Sequence, residues 1–289
     1  MISNRRWLTA AILAASFWLA GCSPANEPVD AAPASVAETT ERTAAVAIPD
    51  KYGAQVAEDV LRAGGNAVDA AVAVGFSMAV TFIDAGNIGG GGFMMIYMDD
   101  TPAFLDYRET APLAAHRDMY LDEHRDVIEN ASLIGARAAG VPGTVAGLWE
   151  AHQRYGRLPW NDLVMPAVRL AEEGFLPAQA IVDDIHSMKD WFGDATGFYD
   201  HFGGISAEQP FRQPELGKTL RRIAEHGPED FYRGETARLI VGEMERSNGL
   251  ITAEDLERYR AVWREPLRTG WRNYEILAAP PPSSGGFAL

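Results

Sequence analysis

The amino-acid sequence predicts an α+β fold. Three observations carry that expectation. Two short runs of β-rich segments, near residues 93–107 and 266–278, are bounded by turn-forming residues. Between Pro142 and Gly249 the apolar residues recur with helical spacing. Ahead of both lies a helix pair whose second member is apolar on nearly every side, which marks it as buried. Strands gathered at two places and helices gathered between them suit segregated layers better than alternating βαβ units. With 289 residues, 47% of them hydrophobic, the chain can bury a large core in one large domain or two small ones.

The elements follow in order. Asp50 can cap a helix from Lys51 to Arg62, with Val56, Val60 and Leu61 on one face and Gly64 ending it. Asn66 can cap a second helix from Ala67 to about Val80, with Asp69 as its capping-box partner. A loop from Asp84 to Gly92 then ends in four successive glycines, which can supply unusual dihedrals and let backbone approach backbone. A phosphate cradle is disfavoured there, because a strand follows the glycines and no Lys-Ser/Thr does. Phe93–Met98 and Ala103–Tyr107 read as a hairpin turning through Asp99–Pro102. Helices are expected over 144–155, 161–173, 177–190, 214–226 and 235–247, with Gly156, Gly174 and Gly227 at C-termini. Thr252-Ala253-Glu254-Asp255 reads as a capping box opening a short helix, and Pro266–Trp271 with Tyr274–Ala278 as a closing hairpin.

The N-terminus reads as a targeting segment. Arg5 and Arg6 precede an apolar run, Trp7 to Leu19, too short to span a bilayer comfortably. Leu19-Ala20-Gly21-Cys22 resembles the lipobox of bacterial lipoproteins, where cleavage leaves the cysteine as the lipid-bearing N-terminus; the other reading is an ordinary secretory signal with an incidental cysteine. The expected organisation is a signal over 1–21, a tether rich in Ala, Pro, Glu and Thr over 22–43, and a folded domain over 44–289. An exported, periplasm-facing lipoprotein follows, and Ser23 after the cysteine favours the outer membrane. Cys22 is the single cysteine, which excludes an intrachain disulfide and a Cys/His metal cluster. A net charge of −15 without any Lys/Arg-rich stretch argues against nucleic acid as a partner.

Candidate chemistry centres on Arg108-Glu109-Thr110-Ala111-Pro112, just past the hairpin. A guanidinium at a strand exit can grip a carboxylate with two parallel hydrogen bonds. It can equally be a surface or ion-paired arginine. Glu109 beside it can steady that cation or form a structural pair. No GxSxG elbow, HExxH helix or EF-hand loop occurs, and no cofactor or metal is called for. The six histidines are scattered among polar residues and read as surface or satisfied groups. Ser283 and Ser284 sit in a proline-glycine setting that suggests a turn.

Taken in order, Leu61–Ala73, the Gly89–Gly92 run, Arg108–Pro112, Val141–Gly147, Tyr155–Trp160 and Pro280–Gly286 make a specific set. It resembles the large-subunit half of the gamma-glutamyltranspeptidase (glutathione hydrolase) family, from about residue 44 to the last residue. The resemblance implies an N-terminal-nucleophile hydrolase fold, a four-layer sandwich with helices outside two packed sheets. It implies a proenzyme that cuts itself before a threonine, whose freed amine and hydroxyl then serve as base and nucleophile. It implies gamma-glutamyl transfer from glutathione and related small molecules to water or to amino acids, with Arg108 on the donor's α-carboxylate, Glu109 in a supporting role and the small subunit as partner. No threonine of this sequence stands in the family's cleavage context, so the nucleophile is expected beyond Leu289 and the chain reads as truncated. Where many family members carry a Val-Glu-Pro and serine pair, this chain has Val80-Thr81-Phe82-Ile83-Asp84, a departure near loops that can shape acceptor or side-chain preference. Related β-lactam (cephalosporin and glutaryl) acylases are the enzymatic alternative. A lipid-anchored binding protein without activity is the other.

Overall fold

The structure, a computed structural model, describes residues 44–192 and 197–289. The expected signal, Cys22 and the tether lie outside the described residues.

Helix α1 (Lys51–Arg62) starts where expected, since the Asp50 carboxylate accepts from the Gly53 N–H at 2.6 Å. Helix α2 (Ala67–Thr81) is capped by Asn66, and its capping box with Asp69 is complete. These two helices pack on each other, and α2 also packs on α4 (Trp160–Glu173). Helix α3 (Thr144–Tyr155) lies between them in sequence. Helix α8 (Pro214–His226) covers the far side of α4, so Val72, Phe76, Leu163, Val164, Leu220 and Ile223 meet in one core.

Between α4 and α8 the structure departs from the expected single helix over 177–190. It forms α5 (Gln179–Ser187) and α6 (Lys189–Phe192). At Met188 the backbone N–H reaches the carbonyls of both Asp184 and Ile185, the tightened geometry in which α-helices end. Helix α7 (Phe198–Phe202) was not anticipated, and neither was α9 (Pro228–Arg233). Both are too short to show periodicity. α9 follows Gly227, whose φ of 63° ends α8 and lets Pro228 open a new helix at once. Helices α10 (Glu235–Arg246) and α11 (Ala253–Arg258) complete the set, α11 with its Thr252–Asp255 capping box in place.

Strands β1 (Phe93–Met98) and β2 (Thr101–Asp106) pair antiparallel, Phe93 opposite Asp106 and Met98 opposite Thr101. The turn is Asp99-Asp100 alone, not Asp99–Pro102. Both aspartates have positive φ, 50° and 58°, as a tight two-residue hairpin turn requires. Pro102 is thereby drawn into β2, outside the stretch Phe104–Asp106 that pairs on its other edge with β3 (Val262–Arg264). That third strand was not expected. Its three residues are too few for an alternating pattern, and its strand character comes from its partner. Strands β4 (Leu267–Trp271) and β5 (Tyr274–Ala278) form a separate two-stranded sheet. Their side chains are largely uncovered, and Trp271 and Tyr274 stack on each other at 6.3 Å.

The glycine run works by close approach and not by unusual dihedrals, since none of Gly89–Gly92 has positive φ. The Gly90 carbonyl accepts from the N–H groups of Gly143 and Thr144 at 2.7 and 3.0 Å. It thus satisfies the start of α3, where Gly143 has no side chain to do so. A Cβ on Gly91 would lie 2.4 Å from the Tyr107 carbonyl oxygen. No helix among the described residues is long and apolar enough to cross a membrane.

Candidate functional site

β2 ends at Asp106, and the chain leaves the sheet through Tyr107 and Arg108. An open cleft of about 400 Å³ forms at this exit, bordered by Asp106, Arg108, Glu109, Tyr259, Arg264 and Pro282. Its walls come from three distant parts of the chain.

Arg108 has a side chain 57% exposed to solvent. Its Nε donates to the Glu109 carboxylate at 3.2 Å, and its guanidinium lies 6.0 Å from the centre of the Phe93 ring. Among the described residues no other partner engages that guanidinium, so its terminal amino groups remain for a ligand carboxylate. The pair with Glu109 is exposed and therefore weak. The backbone of Arg108 is held more firmly than its side chain. Its N–H donates to Asp106 Oδ1 at 3.0 Å, and its carbonyl accepts from the Tyr259 hydroxyl at 2.8 Å.

Asp106 is buried, only 6% exposed, and its Oδ2 accepts from Arg264 Nε at 2.8 Å. Burial pushes the Tyr259 phenol up from its ordinary pKa, and the charges of Asp106 and Glu109 push it the same way, so it remains a protonated donor. The Tyr259 ring stacks on Tyr232 with centroids 5.7 Å apart and planes 7° from parallel. Tyr232 donates to the Pro142 carbonyl at 2.9 Å and accepts from the Ala146 N–H at 3.3 Å; burial raises its phenol too.

These contacts explain the Val141–Gly147 motif. A Cβ on Gly143 would lie 2.1 Å from the Tyr259 hydroxyl, and one on Gly147 would lie 2.1 Å from the Tyr107 ring. Only hydrogen fits at either place. Two other motifs are joined by Asp69. It is fully buried, and its carboxylate accepts from the N–H of Asn66 at 2.9 Å and of Arg157 at 3.0 Å, fastening Tyr155–Trp160 to the start of α2. Trp160 then donates to the Ile223 carbonyl at 2.9 Å. These groups are structural.

The structure brings Arg108 and Glu109 together, as their adjacency suggested. The sequence reading did not single out Asp106, Tyr259 or Arg264. An aspartate two residues before a strand-exit arginine is the signal for a side chain that accepts its own i+2 N–H, and it was legible in principle. Tyr259 carried no such signal. The last motif is represented at the cleft by Pro282. Ser283 Oγ accepts from the Gly285 N–H at 3.2 Å, a local turn contact. His152 is satisfied by the Leu158 carbonyl at 2.8 Å. Thr110 borders the cleft with its backbone bridged to Val141, and among the described residues no histidine borders it. No group of three or more His, Cys, Asp or Glu among the described residues could hold a metal ion.

The family model for gamma-glutamyltranspeptidase matches residues 53–289. The glutathione hydrolase proenzyme of Pseudomonas aeruginosa is 54% identical over 261 residues, which cover 90% of this chain and 47% of that protein. A solved gamma-glutamyltranspeptidase from Pseudomonas nitroreducens, complexed with L-DON, superposes with a TM-score of 0.83 at 56% identity, over 85% of this chain and 73% of that one. A cephalosporin acylase from Bacillus halodurans superposes with a TM-score of 0.71 at 29% identity, over 79% of this chain and 44% of that one. The chain spans about half the length of the curated relatives it matches.

Proposed function

The chain belongs to the gamma-glutamyltranspeptidase family, and we propose that it supplies the donor-carboxylate grip of a gamma-glutamyl acyl-transfer enzyme. The enzyme hydrolyses glutathione and related gamma-glutamyl compounds, or passes the gamma-glutamyl group to amino acids and peptides. Arg108 holds the donor's α-carboxylate through its terminal amino groups. Glu109, its exposed ion-pair partner, has a supporting role as a neighbouring negative charge. With the glutamate fixed at that end, its distant γ-carbonyl is presented to the nucleophile, and orientation of this kind removes much of the entropic barrier. The nucleophile in this reading is a threonine of the small subunit, freed by self-cleavage of the proenzyme. Its own amine takes the hydroxyl proton during attack.

One observation carries the reading: an exposed, incompletely engaged guanidinium at the mouth of a cleft, on a backbone fixed from both sides. The acylase alternative draws on the more distant structural likeness, at 29% against 56% identity. The test is Arg108→Lys in the mature enzyme. Lysine keeps the charge but loses the planar fork. Catalytic efficiency on a gamma-glutamyl anilide should fall by about one to two decades, the equivalent of roughly 1.5–3 kcal/mol for a charged hydrogen-bonded contact. Self-cleavage should persist, because it requires no bound glutamate. Normal efficiency in fully matured variant would refute the grip.

Attachment to membrane lipid through Cys22, with the protein facing the periplasm from the outer membrane, belongs to the same proposal. Its support is the run Leu19-Ala20-Gly21-Cys22-Ser23 behind a short apolar segment.

A further inference from the structure

We infer that Asp106 and Tyr259 are positioning residues for carboxylate recognition, because between them they hold both backbone polar groups of Arg108 and so set the direction of its guanidinium. The inference rests on the reading of Arg108 as the donor grip.

Arg108 lies one residue beyond Tyr107, which still pairs with Gly92, so the backbone groups of Arg108 itself belong to no sheet ladder. Its side chain is exposed, and among the described residues it has only the exposed Glu109 pair and the Phe93 ring at 6.0 Å, contacts too weak to fix an orientation. A guanidinium on a free backbone would have to be ordered when the ligand binds, and affinity would fall by that cost. Here the ordering is built in. Asp106 accepts the Arg108 N–H from one side, and the Tyr259 hydroxyl reaches the Arg108 carbonyl from the other.

Each clamp is itself fixed. Arg264 holds the second oxygen of the Asp106 carboxylate. Tyr232 holds the Tyr259 ring by stacking, and Pro142 and Ala146 hold the Tyr232 hydroxyl. Gly143 leaves the Tyr259 hydroxyl the space it occupies. The Val141–Gly147 motif therefore reaches Arg108 through two tyrosines.

The experiment compares two donors on the mature enzyme: a gamma-glutamyl anilide and the 4-aminobutyryl anilide, which lacks the α-carboxylate. The ratio of their kcat/KM values does not depend on how much enzyme is correctly folded. Tyr259→Phe should lower that ratio about tenfold, the effect of losing one well-formed hydrogen bond, chiefly through KM for the gamma-glutamyl donor. Asp106→Ala should do the same. Asp106→Asn keeps an oxygen for the Arg108 N–H but turns its amide NH₂ toward Arg264, so it should recover only part of the ratio. An unchanged ratio in Tyr259→Phe would overturn the inference, including the case where both donors slow equally, since that is what a merely structural tyrosine gives. If Asp106→Ala fails to mature, Tyr259→Phe still decides, because it removes a single oxygen and keeps the stacked ring. Arg108→Lys separates the two levels. Should it leave the ratio intact, the grip itself is wrong; should it collapse the ratio while Tyr259→Phe does not, the positioning alone is wrong.

Discussion

Replacing Asp69 by asparagine changes almost no volume, yet it should unsettle the joint between α2 and the segment that follows α3. The aspartate is fully buried. Its Oδ2 accepts from Asn66 N–H at 2.9 Å and from Arg157 N–H at 3.2 Å, and its Oδ1 accepts from Arg157 N–H at 3.0 Å and from Leu158 N–H at 3.4 Å. Asparagine offers one oxygen where two are in use. Turned toward Arg157, its amide NH₂ faces the Asn66 N–H; turned the other way, it faces Arg157 and Leu158. Either way an N–H facing this buried group loses its acceptor, Asn66 in one orientation and Leu158 in the other, at about 1–3 kcal/mol, and the bonds that survive drop from charge-assisted to neutral, at about 1 kcal/mol more. The sum, about 3 kcal/mol, corresponds to a melting point lowered by about 6–12 °C in a domain of this size. The assay is a thermal melt of the full-length protein beside wild type. Asp59→Asn serves as a control, because among the described residues the Asp59 carboxylate accepts a hydrogen bond only from the exposed Gln55 side chain, and the change should move the melt little. A melt of Asp69→Asn within about 2 °C of wild type would refute the reasoning, for it would mean that the second carboxylate oxygen contributes nothing.

Asp255 supplies a pH-dependent counterpart. Burial opposes its ionised form, but the Leu113 N–H, the hydroxyl and N–H of Thr252 and the charge of Arg258 outweigh it and hold its pKa below the ordinary range. A lowered pKa stabilises the fold above the unfolded aspartate value, near 4, and that stabilisation is lost as pH falls through the folded value. Asp255→Ala should therefore lower the urea midpoint at pH 7 by the equivalent of about 1–2 kcal/mol, and the gap to wild type should narrow at pH 3; an equal gap at both values would count against a charge-based role. Cys22→Ala should release the protein from the membrane fraction or leave its leader uncleaved, and detergent-dependent membrane association unchanged in that variant would contradict lipid attachment.

Several boundaries were legible because single residues decide them locally. Asp50 and Gly64 frame α1, Asn66 opens α2, Gly156 closes α3, and Pro214 and Gly227 frame α8. Where the deciding partner is remote, the sequence was silent. β3 is a strand only because Phe104–Asp106 lies beside it, and Tyr259 looks like any tyrosine after a short helix. The glycine run was half legible: close approach was the right cause, while positive φ was not needed. Arg108 stood out because it lies at a strand exit inside one of six motifs that occur in the family's order; alone it read equally well as a surface arginine. The groups that hold its backbone did not, since one is a common aspartate and the other lies 151 residues away.

The pairing of β2 with β3 has a consequence in time. Arg264 follows Asp106 by 158 residues. At a ribosomal rate of about 5–20 residues per second, roughly 8–30 seconds separate the synthesis of the two. Through that interval the hairpin of β1 and β2 carries a bare edge, and bare edges invite pairing with other chains. Tyr259 arrives in the same late stretch, so Arg108 also waits with its backbone unheld. The nascent chain thus passes through a window in which its strand edge and its cation are both unguarded, and a chaperone would meet it there.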